Sequence, residues 1–174
     1  MKASETKVQH VIEGTKQYVV PLFQRPYSWD SKEWTVLWDD LLELYEEETP
    51  RTHFIGSIVT MPTQSVPEGV AKFLLIDGQQ RFTTTFLLLS AIRDRARLNP
   101  ETKRMAEEID NTLLKNPYKQ GSDLFKLLPT QSDRDAFLNI VRGKPVSNDS
   151  QIAKCYRFFE RKLNTTGVEN LEKL

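Results

Sequence analysis

A chain of 174 residues, 39% hydrophobic and 28% charged, holds enough apolar material for one core, or one core with a helical appendage, and its mean hydropathy of −0.50 fits a soluble globular domain. Cys155 is the only cysteine, which excludes an internal disulfide and a multi-cysteine zinc site and agrees with a reducing, cytoplasmic location. The zero net charge argues against non-specific, charge-driven DNA binding, yet it sums two unlike parts: residues 1–50 carry five Lys/Arg and ten Asp/Glu, and residues 51–174 carry nineteen and fourteen, giving −5 and +5.

The N-terminus, Met1-Lys2-Ala3-Ser4-Glu5, lacks the apolar stretch of a signal peptide. The longest apolar run, residues 86–92, is broken by Ser90 and falls far short of a membrane span. A short helix is expected over residues 6–13, then a β-prone piece, Gln17-Tyr18-Val19-Val20, stopped by Pro21. The loop that follows, Val20-Pro21-Leu22-Phe23-Gln24-Arg25-Pro26-Tyr27-Ser28-Trp29, is stiffened by two prolines. Its Phe23, Gln24, Arg25, Tyr27 and Trp29 suit stacking on a base and forking onto a phosphate or a base edge, which makes Phe23 and Tyr27 candidate DNA contacts. The same aromatic rings can staple the loop to the core, and at least one is expected to do so. Gln24 and Arg25 have no such apolar use.

Asp30 or Ser31 can cap a helix in which Trp34, Leu37, Trp38, Leu41, Leu42 and Tyr45 recur at helical spacing, with both tryptophans expected in the core. Its acidic end, with Asp39, Asp40, Glu43, Glu46, Glu47 and Glu48, reads as a solvated face. A strand is expected over residues 53–61, a turn over 62–69 and a second strand over 71–76, the two pairing as a hairpin. Gly56 inside the first strand hints at a bulge or at close approach by a ligand. His53 could contact a base or act as a general base, and a hydrogen-bonding role is favoured, since His10 is the only other histidine.

The second strand runs into Ile76-Asp77-Gly78-Gln79-Gln80-Arg81-Phe82-Thr83-Thr84 and then into a helix over residues 82–97 with a basic exit at Arg93, Arg95 and Arg97. Unpaired N–H groups at a helix start attract anions. Gly78 permits a tight turn, Arg81 offers a fork to phosphate oxygens, and Thr83, Thr84 and Thr85 add hydroxyls. Asp77 could hold a divalent metal or orient a water, while Gln79 and Gln80 donate hydrogen bonds without adding charge. The competing reading is that Asp77 only caps the helix and Arg81 pairs with a surface acid. The spacing of a Walker A loop is absent.

Beyond Pro100 a charged helix is expected over residues 101–114, then a strand over 124–128 closed by Pro129. Thr130-Gln131-Ser132-Asp133 starts a helix carrying Phe137, Ile140 and Val141 and ending at Gly143. Asn148 or Asp149 can cap a last helix bearing Ile152, Cys155, Tyr156, Phe159 and Leu163, which Gly167 terminates. Cys155 on that apolar face is a poor nucleophile. There is no internal repeat. The fold class is α+β, α/β-like in front and mostly helical behind, and the absence of a stop signal at Leu174 suggests a fragment of something longer.

Taken together, the loop from Val20 to Trp29, the segment His53-Phe54-Ile55-Gly56-Ser57-Ile58-Val59 and the run from Ile76 to Thr84 resemble the GmrS-like N-terminal domain of modification-dependent restriction enzymes. Order and rough spacing match over residues 5–97, and Lys126-Leu127-Leu128-Pro129-Thr130-Gln131-Ser132-Asp133 looks like a later segment of the same domain. The resemblance implies a small mixed ParB/sulfiredoxin-like sheet with surrounding helices, with residues 1–98 as the nucleotide-binding core and 99–174 as its mostly helical extension. It implies a nucleoside-triphosphatase in phage defence that senses modified double-stranded DNA and gates cleavage by an HNH-type nuclease domain or partner subunit. No such nuclease is visible, since no histidine follows residue 53. By similarity Asp77, Gln80 and Arg81 would be catalytic, with Asp77 near Mg2+. Gly78, Gln79, Thr83, Thr84, Gln24 and Arg25 would hold the NTP, and Phe23, Tyr27 and His53 would meet DNA. A nucleotide switch or DNA-binding module without hydrolysis is the alternative. No membrane is implied, and a homo-oligomer is left open.

Overall fold

Strand β1 (Lys16–Val19) occupies an inner place in a four-stranded sheet of order β2-β3-β1-β4, in the computed structural model, which describes residues 5–46, 54–63, 69–146 and 149–165. β3 (Ala71–Asp77) and β4 (Leu127–Leu128) both lie parallel to β1, and β2 (Val59–Pro62) is antiparallel to β3. Tyr18 stands between Phe73 and Leu127 in the register. Its ring stacks on Phe73 and meets Phe82 edge-on, so strand and helix share one aromatic cluster.

Six α-helices occur among the described residues: α1 (Val8–Ile12), α2 (Ser31–Glu46), α3 (Gln79–Arg97), α4 (Lys103–Glu108), α5 (Gln131–Val141) and α6 (Gln151–Thr165). The small mixed sheet wrapped by helices is the expected α+β fold. α3 follows β3 directly, and Phe82, Phe86 and Leu87 are fully buried along it. Trp34 packs on Phe158, and Trp38 on Phe159, which joins α2 to α6. α2 begins with a reciprocal cap: Lys32 N donates to Asp30 Oδ1 at 2.9 Å, and Asp30 N donates to Glu33 Oε2 at 2.9 Å.

Several element boundaries differ from expectation. The strand expected over residues 53–61 is confined to β2, because residues 54–58 leave the ladder to pass over α3. Gly56 there has φ +96°, and a Cβ on it would sit 2.8 Å from Arg81 Nε. The strand expected over 124–128 shrinks to β4, since a 3₁₀ turn, Gly121–Leu124, leads into it. The single helix expected over 101–114 is a 3₁₀ turn (Pro100–Thr102), then α4, then a π-helical stretch, Ile109–Leu114. That stretch carries Asp110 beneath Arg93 of α3, at 2.9 Å. The last helix is capped by Ser150, whose Oγ accepts from Ala153 N at 3.2 Å, rather than by Asp149; Asn148 and Gly167 lie outside the described residues.

Arg93 is the polar knot of the core. Its fully buried guanidinium pairs with both oxygens of Asp94, with Asp110, and with the Ile140 and Val141 carbonyls that end α5. Burial works against its charge, but the two carboxylates outweigh burial, and its pKa rises above the usual value. No described helix is long and apolar enough to cross a membrane.

Candidate functional site

Three parallel strands end at one edge of the sheet, and the chain leaves each of them there. β1 runs into the 20–30 loop, β3 into α3 through Gly78, and β4 into α5 through Pro129 and Thr130. The N-termini of α3 and α5 therefore both open at this edge, where ligands of parallel sheets bind. Gly78 is the N-cap of α3 with φ +86°, and a Cβ there would lie 2.9 Å from Ser57 O, so only glycine fits between β3 and the 54–58 segment.

The 20–30 loop is held by side chains from the sites it was expected to accompany. Gln24 Nε2 donates to Ile76 O at 3.0 Å, and Gln79 Nε2 donates to Arg25 O at 3.2 Å. Gln80 uses its whole amide: Nε2 donates to Pro26 O at 3.2 Å, and Oε1 accepts from Ser28 N at 2.8 Å and Trp29 N at 3.3 Å. Asp133 Oδ2 accepts from Tyr27 N at 2.7 Å and from Thr130 Oγ1 at 2.6 Å. Gln151 Nε2 of α6 donates to Trp29 O at 3.0 Å.

These contacts place several of the expected site residues in packing roles rather than open at the edge. Gln80, expected to be catalytic, is 7% exposed and fully engaged by the loop. Thr84, expected at the nucleotide, is 0% exposed, and its hydroxyl donates to Gln80 O at 2.8 Å. Thr83 is buried as well. Tyr27, expected to meet DNA, is a core residue: its hydroxyl lies 2.6 Å from Thr84 Oγ1 and 3.3 Å from Cys155 Sγ and accepts from Trp34 Nε1 at 2.8 Å. Burial, then the Cys155 neighbour, pushes its pKa up, and burial pushes the Cys155 thiol up too, so both stay protonated at neutral pH. His53 lies outside the described residues.

What remains at the edge is charged. Among the described residues Asp77 has no hydrogen-bond or ion-pair partner, and it does not cap α3. Arg81 forms no ion pair there either; its one bond is Nη2 to Ser57 O at 2.6 Å, and its Nε is buried without a partner. Arg25 is exposed and its guanidinium is likewise unengaged among the described residues. Gln79 Oε1 is a buried acceptor with no donor. Phe23 stands at the loop tip, 80% exposed, beside the equally exposed Leu22.

Among the described residues no three His, Cys, Asp or Glu side chains gather into a metal site. Asp77 alone fits only an ion held mostly by a ligand's own oxygens, which is how Mg2+ is bound with phosphates. Asp133 and Gln151 were missed as anchors of the loop, because their partners lie more than a hundred residues away. A family model described as "GmrSD restriction endonuclease, N-terminal domain" matches residues 8–173. No curated protein matches the chain.

Proposed function

The chain belongs to the family of GmrSD restriction endonuclease N-terminal domains, a module of DNA-acting restriction and phage-defence proteins, and on that premise we propose that it binds and hydrolyses a nucleoside triphosphate at the carboxyl edge of β1, β3 and β4. The observation that carries this reading is the division within Asp77–Arg81: the two glutamines are tied to the neighbouring loop, while the carboxylate and the guanidinium on either side of them have no counter-charge among the described residues. An arginine in the first turn of a helix, with no ion pair among the described residues, favours a phosphate.

In this proposal Arg81 and Arg25 bind phosphate oxygens, and the first-turn N–H groups of α3 receive the charge that develops on the γ-phosphoryl group. Asp77 orients the attacking water, which forms the new bond to the γ-phosphorus as the bridging oxygen departs with the nucleoside diphosphate. Mg2+, when bound with the substrate, would neutralise phosphate charge beside Asp77. Phe23, at the tip of the same loop, would report contact with modified double-stranded DNA, and turnover would gate a nuclease domain or partner.

Arg81→Ala should abolish phosphate release while the far-UV spectrum and melting temperature stay near wild type. Unchanged turnover would remove the loop from the reaction. The engagement of Gln80 favours a second reading, a nucleotide switch, because among the described residues it leaves Asp77 as the sole water-orienting group of this loop. Calorimetry with each NTP and Mg2+, beside a phosphate-release assay, separates the two: tight binding without turnover selects the switch.

A further inference from the structure

A groove of about 450 Å3 lies between α2 and the 54–55 segment, with Arg81 and Thr85 of α3 on its wall. Its volume falls within the about 300–1,000 Å3 of small-molecule sites. Its apolar lining is Trp29, Val36, Leu37, Phe54 and Ile55. Two of these stand open: Phe54 is 78% exposed and Val36 61%. Open apolar side chains beside charged ones give the groove a lining suited to a ligand with an apolar face and a polar rim.

We propose that this groove receives the nucleoside part of the triphosphate, the base lying against Trp29 and Phe54 and the phosphates reaching from Arg81 toward the start of α3. The inference rests on the nucleotide site proposed above. Charge selects the occupant. Lys32 and Arg81 line the groove together with Glu33 and Asp40, so its charged lining carries both signs. Carboxylates repel a polyphosphate, and Glu33, whose Oε2 already accepts from Asp30 N, keeps its other oxygen for base N–H groups or ribose hydroxyls. A flat, uncharged, partly polar body is what such a lining desolvates least unfavourably.

The ends of the groove are fixed. Trp29 is held through its N–H by Gln80 and through its carbonyl by Gln151, so its ring is presented by backbone bonds on both sides. Arg81 lies flat against Gly56, where a Cβ would approach its Cζ to 2.9 Å, and it is bonded to Ser57 O. One guanidinium thus serves both the groove and the phosphate edge, and a ligand with an apolar plate and an anionic tail satisfies both.

The test uses the 174-residue chain with each of the four ribonucleoside triphosphates and with inorganic tripolyphosphate, read by calorimetry and by tryptophan fluorescence. Nucleotide should quench Trp29 emission and tripolyphosphate should not, and Trp29→Phe should remove the quench. Val36→Trp, at an exposed position on α2, should weaken nucleotide binding by tenfold or more and leave tripolyphosphate binding unchanged; Phe54→Ala should weaken it in the same selective way. Unaltered nucleotide affinity in both variants, with tripolyphosphate still bound, overturns the groove while the phosphate site stands. A change of oligomeric mass in Val36→Trp with unaltered nucleotide affinity assigns the groove to a second copy of the chain and also overturns it. Failure of the wild-type chain to bind nucleotide or tripolyphosphate overturns the underlying site.

Discussion

Replacing Gln80 by alanine separates a structural role from a chemical one, because the structure fixes what is lost. Three hydrogen bonds disappear: the donation to Pro26 O and the two acceptances from Ser28 N and Trp29 N. A net worth of about 0.5–1.5 kcal/mol for each gives a destabilisation of about 3 kcal/mol. The loss lies toward the upper end if Trp29 N stays out of water, and toward the lower end if Ser28 N, on an exposed residue, finds solvent. Urea unfolding at neutral pH measures the loss as a fall in midpoint without a change in slope. Amide exchange adds the location, since Ser28 and Trp29 should lose protection while Tyr27, held by Asp133, keeps more of its own. Gln80→Glu sharpens the comparison: a carboxylate still accepts both N–H groups but cannot donate to Pro26 O, so its loss should fall between wild type and alanine. A Gln80→Ala protein with wild-type stability, wild-type exchange and no NTP turnover would refute the reasoning and return Gln80 to the reacting atoms.

Arg93→Ala should cost about 3–5 kcal/mol in urea unfolding, because it strips a buried guanidinium from Asp94 and leaves two buried carbonyls at the end of α5 without donors; a loss below about 1 kcal/mol would mean that Arg97 and Lys115, already at Asp110, carry that cluster. Lys126 sets a pH dependence: its ammonium donates to Ile12 O at 3.0 Å and to Gly14 O, and burial, with Lys16 nearby, pushes its pKa down to about 8, against the opposing pull of Glu13. Between about pH 8 and its usual value of 10.5 the unfolded chain binds the extra proton, so this group makes stability rise with pH through that window. Lys126→Met should flatten the rise, as followed by melting temperature from pH 7 to 10.5.

How much of this was legible depends on where each residue's partner lies in the chain. The β3–Gly78–α3 junction could be read because its parts are contiguous: a short apolar strand, one glycine and an amphipathic helix with its apolar run at Phe86-Leu87-Leu88-Leu89. The core tryptophans of α2 were legible for the same reason. The roles of the glutamines were not, since an amide beside a phosphate and an amide clamping a loop have the same sequence, and Gln80 bonds to residues about fifty positions away. Tyr27 misled in the opposite sense: among prolines and an arginine it suggests an exposed reader, but its hydroxyl closes a buried cluster drawn from α2, α3 and α6. The π-helical stretch at Ile109–Leu114 left no sequence signal, because it is set by Arg93 and the packing on α3 rather than by local propensity.

The clamped loop also bears on how a nucleotide could be felt elsewhere in the chain. Tyr27 and Trp29 are joined to α6 by Cys155 and Gln151, to α3 by Thr84 and Gln80, and to α5 by Asp133. A loop tied at this many buried points moves little on its own, since each shift of its backbone must break a hydrogen bond or carry a helix with it. Phosphate binding at Arg25 or Arg81 would therefore displace α6 and α5 relative to α3 more readily than it would rearrange the loop alone. Phe23, exposed beside Gln24, whose amide is tied to Ile76 O, sits on the same rigid piece. If, as proposed, DNA meets Phe23 and nucleotide meets Arg81, the two contacts would act on one mechanical unit, which is the physical requirement for either to influence the other.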